Sequence, residues 1–338
     1  MSKSLYPFEN NWLDLDGIRM HYLDEGKGDP IVMLHGNPTW SLYYRNLVRS
    51  LRDRYRCIVP DHIGCGYSDK PGDERYAYTL QRRVEDVERL LDHLEIKENI
   101  TLIVHDWGGM IGSVFATRHP GRIERMVVLN TSAFHLPSTK SFPWPLWICR
   151  NTMLGAFLVR GFNAFSAIAT RVCCTRTKLS RKLRLAYRAP YDSWQNRIAT
   201  LRFVQDIPLR SGDPSYDLVS GVESKLHTLH GKPMLICWGL KDFVFDKQRK
   251  VVVDVQVKYL HKAGASSVDV KDFGADFLVV VRANAGAPVG GRSSRQVWVV
   301  PMAVAKETWS NGKVRIAQID DRYLGAWDLI VEQADQNT

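Results

Sequence analysis

The residues best suited to chemistry form the motif Val104–Gly109, with the sequence VHDWGG. The motif ends an apolar run typical of a buried strand, and Gly108 and Gly109 open a predicted helix. This order matches the G-x-S-x-G nucleophile elbow, with Asp106 in place of the serine and His105 in place of the first glycine. A carboxylate lifted clear of a sheet at a helix N-terminus stays ionised and can displace a leaving group from an alkyl carbon. The structural alternative is an aspartate that only caps the helix.

A second polar segment, His35–Trp40 (HGNPTW), follows the predicted strand Pro30–Leu34. Within it, Asn37 can donate a side-chain N–H, and Trp107 beside the nucleophile can donate its indole N–H. Two such donors in an apolar site stabilise an anion that develops or departs during a reaction. A third segment, Asp61–Pro71, follows another predicted strand, and its glycines indicate a structural turn.

The elements that must position these motifs alternate along the first part of the chain. Continuous apolar runs alternate with amphipathic helical patterns, which predicts an α/β fold with a mostly parallel sheet covered by helices. From Phe134 to Leu226 the pattern is helical, which predicts a helical cap inserted before the penultimate core strand. We therefore predict a core of residues 1–133 and 227–275, a cap of 134–226 and an atypical tail of 276–338. The predicted strands are Gly17–Tyr22, Pro30–Leu34, Arg56–Pro60, Asn99–His105, Arg125–Leu129 and Pro233–Trp238, and the predicted helices are Ser41–Arg52, Leu80–Leu94 and Gly108–Arg118.

Composition narrows the classes of function. The chain has 338 residues, of which 45% are hydrophobic and 24% charged, as is typical of a folded globular protein. An apolar leader and an apolar run of about 20 residues are both absent from the sequence, so we expect a cytoplasmic protein. The six cysteines contain no C-x-x-C pair, which predicts reduced thiols and disfavours a zinc site. We predict no metal and no cofactor.

The net charge of +10 is unevenly distributed. Residues 140–190 contain ten Lys or Arg and no Asp or Glu. No nucleic-acid-binding motif accompanies this stretch, so no nucleic-acid partner is predicted. The neighbouring stretch Ser141–Thr170 is strongly apolar, and two interpretations remain open. The basic apolar cap could contact anionic lipid or a partner enzyme, or it could be a solvated helix beside an apolar pocket wall.

Over about residues 10–247 the chain resembles the haloalkane dehalogenase-like branch of the α/β-hydrolase superfamily. Within this branch, HGNPTWSLYYR, DHIGCGYSDKP, VHDWGGMIG and LICWGLKDFVFD are most similar to the OleB family, the β-lactone decarboxylases of long-chain olefin biosynthesis. The resemblance implies that Asp106 is the nucleophile and that Asn37 and Trp107 stabilise the anion. It implies a hydrophobic cis-β-lactone with two alkyl chains, cleaved to an alkene and CO₂, with Ser141–Thr170 lining an alkyl-chain tunnel.

The same residues would also serve a haloalkane dehalogenase, which displaces a halide hydrolytically, so this activity is the alternative. For the lactone, the sequence leaves open whether Asp106 attacks a ring carbon or the carbonyl carbon.

The remaining catalytic positions depend on the resemblance. Asn130–Ser132 follow their strand without an acidic residue, so the acid is expected at Asp242, with Asp246 in reserve. A histidine base is expected after the last strand, but Ala265 occupies that position. His261 is the one histidine beyond Asp246, and it is the weaker candidate for the base.

The end of the chain departs from the family. Residues 276–338 carry none of its motifs, which indicates either a divergent C-terminus or a shifted reading frame. The missing histidine adds a third functional alternative. The chain would then be a catalytically impaired hydrolase fold that binds hydrophobic acyl material or a partner enzyme.

Overall fold

The computed structural model describes residues 4–136, 141–174, 178–229 and 231–237, together with six strands between residues 255 and 315. These residues form two compact units, one containing residues 4–229 and the other containing the described residues from 231 onward. The predicted acid and base positions Asp242, Asp246, His261 and Ala265 lie outside the described residues.

The first unit contains a sheet with the strand order β1-β2-β4-β3-β5-β6. The four strands β3 to β6 run parallel to their neighbours in this group, whereas β1 and β2 pair in antiparallel fashion. This mostly parallel sheet with its covering helices confirms the predicted fold class. The strands are β1 (Asn11–Asp14), β2 (Arg19–Glu25), β3 (Pro30–Leu34), β4 (Arg56–Pro60), β5 (Ile100–Asp106) and β6 (Ile123–Thr131).

Two details of the sheet correct the prediction. Strand β1 was not predicted, because it is short and half-exposed and has no apolar run. Strand β2 begins two residues later and ends three residues later than the predicted Gly17–Tyr22. The residues before it form a turn in which Asp16 and Gly17 both have positive φ angles.

Three helices accompany these strands: α1 (Arg45–Leu51), α2 (Leu80–His93) and α3 (Trp107–Arg118). The predicted helix Ser41–Arg52 is divided, because Ser41–Tyr44 forms a 3₁₀ turn before α1 begins. Thr79 caps helix α2 at its N-terminus, because its hydroxyl accepts a hydrogen bond from the Arg82 N–H. The apolar face of α2 is buried.

Between β6 and the next described strand, the structure contains further helices, and we call residues 144–225 the helical segment. Helix α5 packs on α4, α6 packs on α5, and α7 packs on α6. No single helix among the described residues is long and apolar enough to cross a membrane; α5 and α6 reach that length together, with a bend of 75° between them. The helices are α4 (Trp144–Asn151), α5 (Met153–Phe162), α6 (Ala164–Val172), α7 (Arg181–Arg188), α8 (Ile198–Gln205) and α9 (Tyr216–Lys225).

The described residues of the second unit are mainly strands. Strands β8, β10 and β11 form one sheet, with β8 parallel and β11 antiparallel to β10. Strands β9, β12 and β13 form another. The sequence assigned no element to residues 276–338, so β10 to β13 are additions to the prediction. The strands are β7 (Met234–Cys237), β8 (Val255–Leu260), β9 (Ser267–Asp269), β10 (Phe277–Ala283), β11 (Arg295–Pro301), β12 (Trp309–Ser310) and β13 (Lys313–Arg315).

Candidate active site

Asp106 lies at the turn between β5 and α3, where the backbone reverses direction. Its φ of 52° and ψ of −129° are rare for a residue with a side chain, and such conformations concentrate at functional sites. The Asp106 side chain makes no capping hydrogen bond to α3, which removes the interpretation of this residue as a simple helix cap. Instead, Oδ1 accepts a hydrogen bond of 2.8 Å from the backbone N–H of Asn37.

The backbone around Asp106 is packed so closely that small residues are required. A Cβ atom on Gly36 would overlap the Asp106 carboxyl group, and one on Gly108 would overlap the Leu34 carbonyl. The hydroxyl of Thr131, at the end of β6, donates a hydrogen bond to the Asp106 carbonyl oxygen. Three parallel strands therefore hold the turn in place from different sides.

Asn37 connects the turn after β3 to the helical segment. Its Nδ2 donates a hydrogen bond of 3.0 Å to the carbonyl oxygen of Thr200 in α8. An amide nitrogen carries two N–H groups, so this contact uses one of the two. The Asn37 Oδ1 atom is buried and has no hydrogen-bond partner among the described residues. The orientation of the Asn37 amide is therefore set by the hydrogen bond that its nitrogen donates.

Trp107 contacts aromatic and cationic side chains next to Asp106. Its ring centroid lies 5.4 Å from that of Phe203 in α8. The guanidinium carbon of Arg83 lies 3.8 Å from the Phe203 centroid and 5.8 Å from that of Trp107. A cation over an aromatic face is attracted to it, so Arg83 orders the two rings from α2.

Arg83 is fully buried, and its charge is compensated by Asp206 at the end of α8. The Arg83 Nη1 atom lies 3.4 Å from Asp206 Oδ2 and donates a hydrogen bond to the Tyr78 carbonyl oxygen. Asp206 also accepts a hydrogen bond from the Leu80 N–H, yet its burial still raises the pKa of the carboxyl group. This buried pair joins α2 to the helical segment beside the candidate site.

Of the three histidines near Asp106, His35 and His62 are fully buried and His105 is half-buried, and all three favour the neutral form. Burial lowers the pKa of His35 and His62, and it lowers that of His105 to about 4. His35 Nε2 accepts a hydrogen bond from the His62 N–H, which fixes the loop that carries Asn37. His105 stacks on Tyr43, with ring centroids 4.5 Å apart. These contacts indicate that the three imidazole rings stabilise the fold around Asp106.

The Asp61–Pro71 segment has the structural contacts that its sequence indicated. The Asp61 carboxylate is fully buried and accepts hydrogen bonds from the backbone N–H groups of Ser41 and Tyr67. It also pairs with the His21 ring at 2.8 Å. Those partners hold the pKa of Asp61 well below its usual range, although burial alone would raise it.

The structure thus brings together three of the site residues predicted from sequence: Asp106, Asn37 and Trp107. The sequence missed Arg83 and Thr200. Arg83 was missed because its neighbours in the α2 sequence are mostly charged, which is typical of an exposed helix face. Thr200 was missed because it lies 163 positions from Asn37 in the sequence. Among the described residues, no cluster of three or more His, Cys, Asp or Glu side chains could hold a metal ion.

Comparison with known proteins identifies the family. The α/β-hydrolase fold family matches residues 29–254. A cis-3-alkyl-4-alkyloxetan-2-one decarboxylase of Shewanella oneidensis is 61% identical over 247 residues, covering 73% of this chain and 78% of the relative. A decarboxylase of the same name from Xanthomonas campestris pv. campestris is 50% identical over 250 residues, covering 72% and 83%. The crystal structure of the haloalkane dehalogenase DatA from Agrobacterium tumefaciens C58 superposes with a TM-score of 0.60 at 27% identity, covering 68% of this chain and 78% of that one. The chain belongs to the α/β-hydrolase family, in the branch that contains these decarboxylases and haloalkane dehalogenases.

Proposed function

We propose that this chain is a β-lactone decarboxylase that converts a cis-3,4-dialkyl oxetan-2-one into an alkene and CO₂. The observation that carries the proposal is the Asp106 carboxylate, held on a strained turn beside the Asn37 and Trp107 donors. The similarity to two cis-3-alkyl-4-alkyloxetan-2-one decarboxylases supports the same substrate class. A hydrophobic small molecule is the partner that this chemistry requires.

In the first step, a carboxylate oxygen of Asp106 attacks the ring carbon that carries the lactone oxygen. A carbon–oxygen bond to Asp106 forms while the ring carbon–oxygen bond breaks, and the ring electrons leave as a carboxylate. The N–H groups of Asn37 and Trp107 would bind this carboxylate, because donors that are already oriented stabilise charge as it develops.

In the second step, the bond between the adjacent carbon of the former ring and the new carboxylate breaks and releases CO₂. Its electron pair forms the alkene, and the bond to Asp106 breaks so that the aspartate carboxylate is restored. This route consumes no water and needs no general base. It is therefore compatible with alanine at position 265, where the family resemblance leads one to expect histidine.

Haloalkane dehalogenation is the second candidate, favoured by the fold shared with DatA. In that reaction the aspartyl ester must be hydrolysed by water, and a base normally activates the water. The proposed acid Asp242, its reserve Asp246 and the weak base candidate His261 matter mainly for this second reaction. A chain without a working base would stop at the ester.

The test compares two substrates on the full-length protein. We would incubate it with a cis-3,4-dialkyl oxetan-2-one and, separately, with a 1-bromoalkane of matched chain length, and measure alkene and CO₂ in the first and bromide in the second. We expect alkene and CO₂ in equal amounts over many turnovers, and bromide in at most one equivalent per protein.

The outcomes separate the three functional alternatives. Many turnovers of bromide without alkene would identify a dehalogenase and overturn the proposal. The absence of alkene, of bromide and of any adduct on Asp106 would leave a hydrophobic-ligand binder. Running both reactions in ¹⁸O-water adds a check, since only ester hydrolysis introduces ¹⁸O into the Asp106 carboxylate.

We further propose that the protein works in the cytoplasm and that its helical segment contacts a membrane or a partner enzyme. All six cysteines are free thiols, as expected in a reducing compartment. The contact is suggested by the basic, apolar composition of residues 140–190.

A further inference from the structure

Helices α6 and α7 border a partly open surface cavity of about 140 Å³ that lies outside the candidate active site. A water molecule in the liquid takes up about 30 Å³, so the cavity has room for a phosphate group. Four of the five residues that line it are arginines, and the fifth is Leu185. The arginines are Arg171, Arg181, Arg184 and Arg188.

The positive charge of this cavity has no acidic counterpart nearby in the sequence, because residues 140–190 contain no Asp or Glu. Within the part of the chain that the structure describes, no ion pair involves any of the four arginines. The Arg188 Nε atom is buried and lacks a hydrogen-bond partner among the described residues. Arg171 and Arg184 each use one N–H on a nearby backbone carbonyl, of Ala167 and Leu179, which leaves further donors on both guanidinium groups. Neighbouring guanidinium groups with remaining donors are typical of phosphate recognition.

The helices on either side of the cavity and those packed next to them in the chain carry exposed apolar side chains. In α5, Met153 is 90% exposed and Phe162 is 65% exposed, and in α4 Trp144 is 73% exposed. Exposed apolar side chains continue on α6 and α7, where Val172 follows Arg171 and Leu185 lines the cavity itself. A helix that lines a pocket would bury these side chains, so the pocket-wall interpretation does not account for them.

From these two observations we propose that helices α4 to α7 bind the surface of a bilayer containing anionic phospholipids, with the four-arginine cavity taking a lipid phosphate. Charge complementarity selects this occupant, because basic side chains beside exposed tryptophan, phenylalanine and leucine are the composition of interfacial membrane helices. The apolar side chains enter the headgroup region while the arginines bind phosphate. The inference does not depend on the reaction at Asp106.

The test is flotation of the full-length protein with vesicles. One set contains only phosphatidylcholine, and the other contains phosphatidylcholine with about a third phosphatidylglycerol. We expect flotation with the anionic vesicles and little with the neutral ones. Raising the salt to about 1 M should weaken the binding, because the screening length falls to about 3 Å.

Two double variants locate the interaction. R171E/R181E reverses two exposed cavity charges and should reduce the partition coefficient at least about tenfold. The matched control K27E/K97E makes the same change in net charge. Both lysines are exposed and precede β3 and β5, at the ends of these strands away from Asp106, so this variant should float like the original protein. M153S/F162S removes two exposed apolar side chains and should weaken binding while leaving the melting temperature unchanged.

Three results would overturn the proposal: equal flotation of R171E/R181E and the original protein, equal flotation with both kinds of vesicle, or no flotation at all. In the last case, a rise in melting temperature with millimolar inorganic phosphate would assign the cavity to a free anion. If phosphate does not raise the melting temperature, a protein partner remains as the occupant of the surface.

Discussion

The region around β3 and β5 and the helical segment use apolar residues in opposite ways. In β5, Leu102 is fully buried between the neighbouring strands, whereas Met153 and Leu154 at the start of α5 are exposed. The strands hold one carboxylate on a turn that tolerates no added side chain at Gly36 or Gly108. In the helical segment, Thr200 and Phe203 of α8 contact Asn37 and Trp107. Other helices of this segment have exposed apolar side chains. The contrast separates a closely packed turn, where we propose the chemistry, from a surface for which we propose a contact.

The largest effect is expected from Asp106→Asn, which keeps the shape of the side chain and removes its charge. An amide is a far poorer nucleophile than a carboxylate, so the rate of alkene formation should fall by at least about 10³-fold. The measurement is alkene yield by gas chromatography, with circular dichroism to confirm the fold. Activity within tenfold of the original would exclude Asp106 as the nucleophile.

A large loss of stability is expected where the two regions are joined by the buried Arg83–Asp206 pair. Arg83→Met should lower the free energy of unfolding by about 3 kcal/mol, because it leaves a buried carboxylate without its cation. The matched control is Arg89→Met, which removes an exposed pair with Asp16 and should cost less than about 1 kcal/mol. Urea titration of both variants measures the difference, and equal losses would show that burial of the pair is unimportant.

The link between Asn37 and α8 gives the next effect. Asn37→Ala removes a side-chain donor and should reduce kcat by about 10²-fold, as is typical of donors that bind a developing anion. The melting temperature should change little, because the backbone N–H that donates to Asp106 is retained. If KM rises while kcat stays unchanged, Asn37 serves only to bind substrate.

A pH dependence of stability is expected in the sheet region. The folded pKa of His105, about 4, lies below the unfolded value of about 6.5 because burial favours the neutral ring. Its contribution to stability is therefore complete above pH 6.5 and is lost as the pH falls toward 4. Unfolding free energies at pH 7.5 and pH 5 should differ less in His105→Gln than in the original protein. Identical differences would show that another group carries the dependence.

The smallest effect tests the contrast directly. Leu154→Ala, at an exposed site in α5, should change the free energy of unfolding by less than about 0.5 kcal/mol. The same substitution at the fully buried Leu102 should cost about 3 kcal/mol. Chemical denaturation measures both, and a large loss at Leu154 would mean that the exposed surface is packed in solution.

Much of the sheet region was predictable from local patterns. Strands Pro30–Leu34 and Arg56–Pro60 match their predicted bounds, because strands buried on both faces require continuous apolar runs. The turn at Asp106 was predictable because the strand before it and the two glycines after it are neighbours in the sequence. The bond from Asn37 to Thr200 has no local signal, since tertiary folding alone brings the two residues together. The exposure of α5 was equally hidden, because an apolar helix has the same composition whether it lines a pocket or faces solvent.

The central claim is that Asp106 forms a covalent bond to the substrate. The most direct measurement is the mass of the Asp106-containing peptide after acid quenching during turnover of a cis-3,4-dialkyl oxetan-2-one. We predict a peptide heavier by the mass of one lactone, with the addition on the Asp106 carboxylate, which disappears once substrate is consumed. Alkene accumulating while this peptide stays unmodified at every quench time would contradict the account.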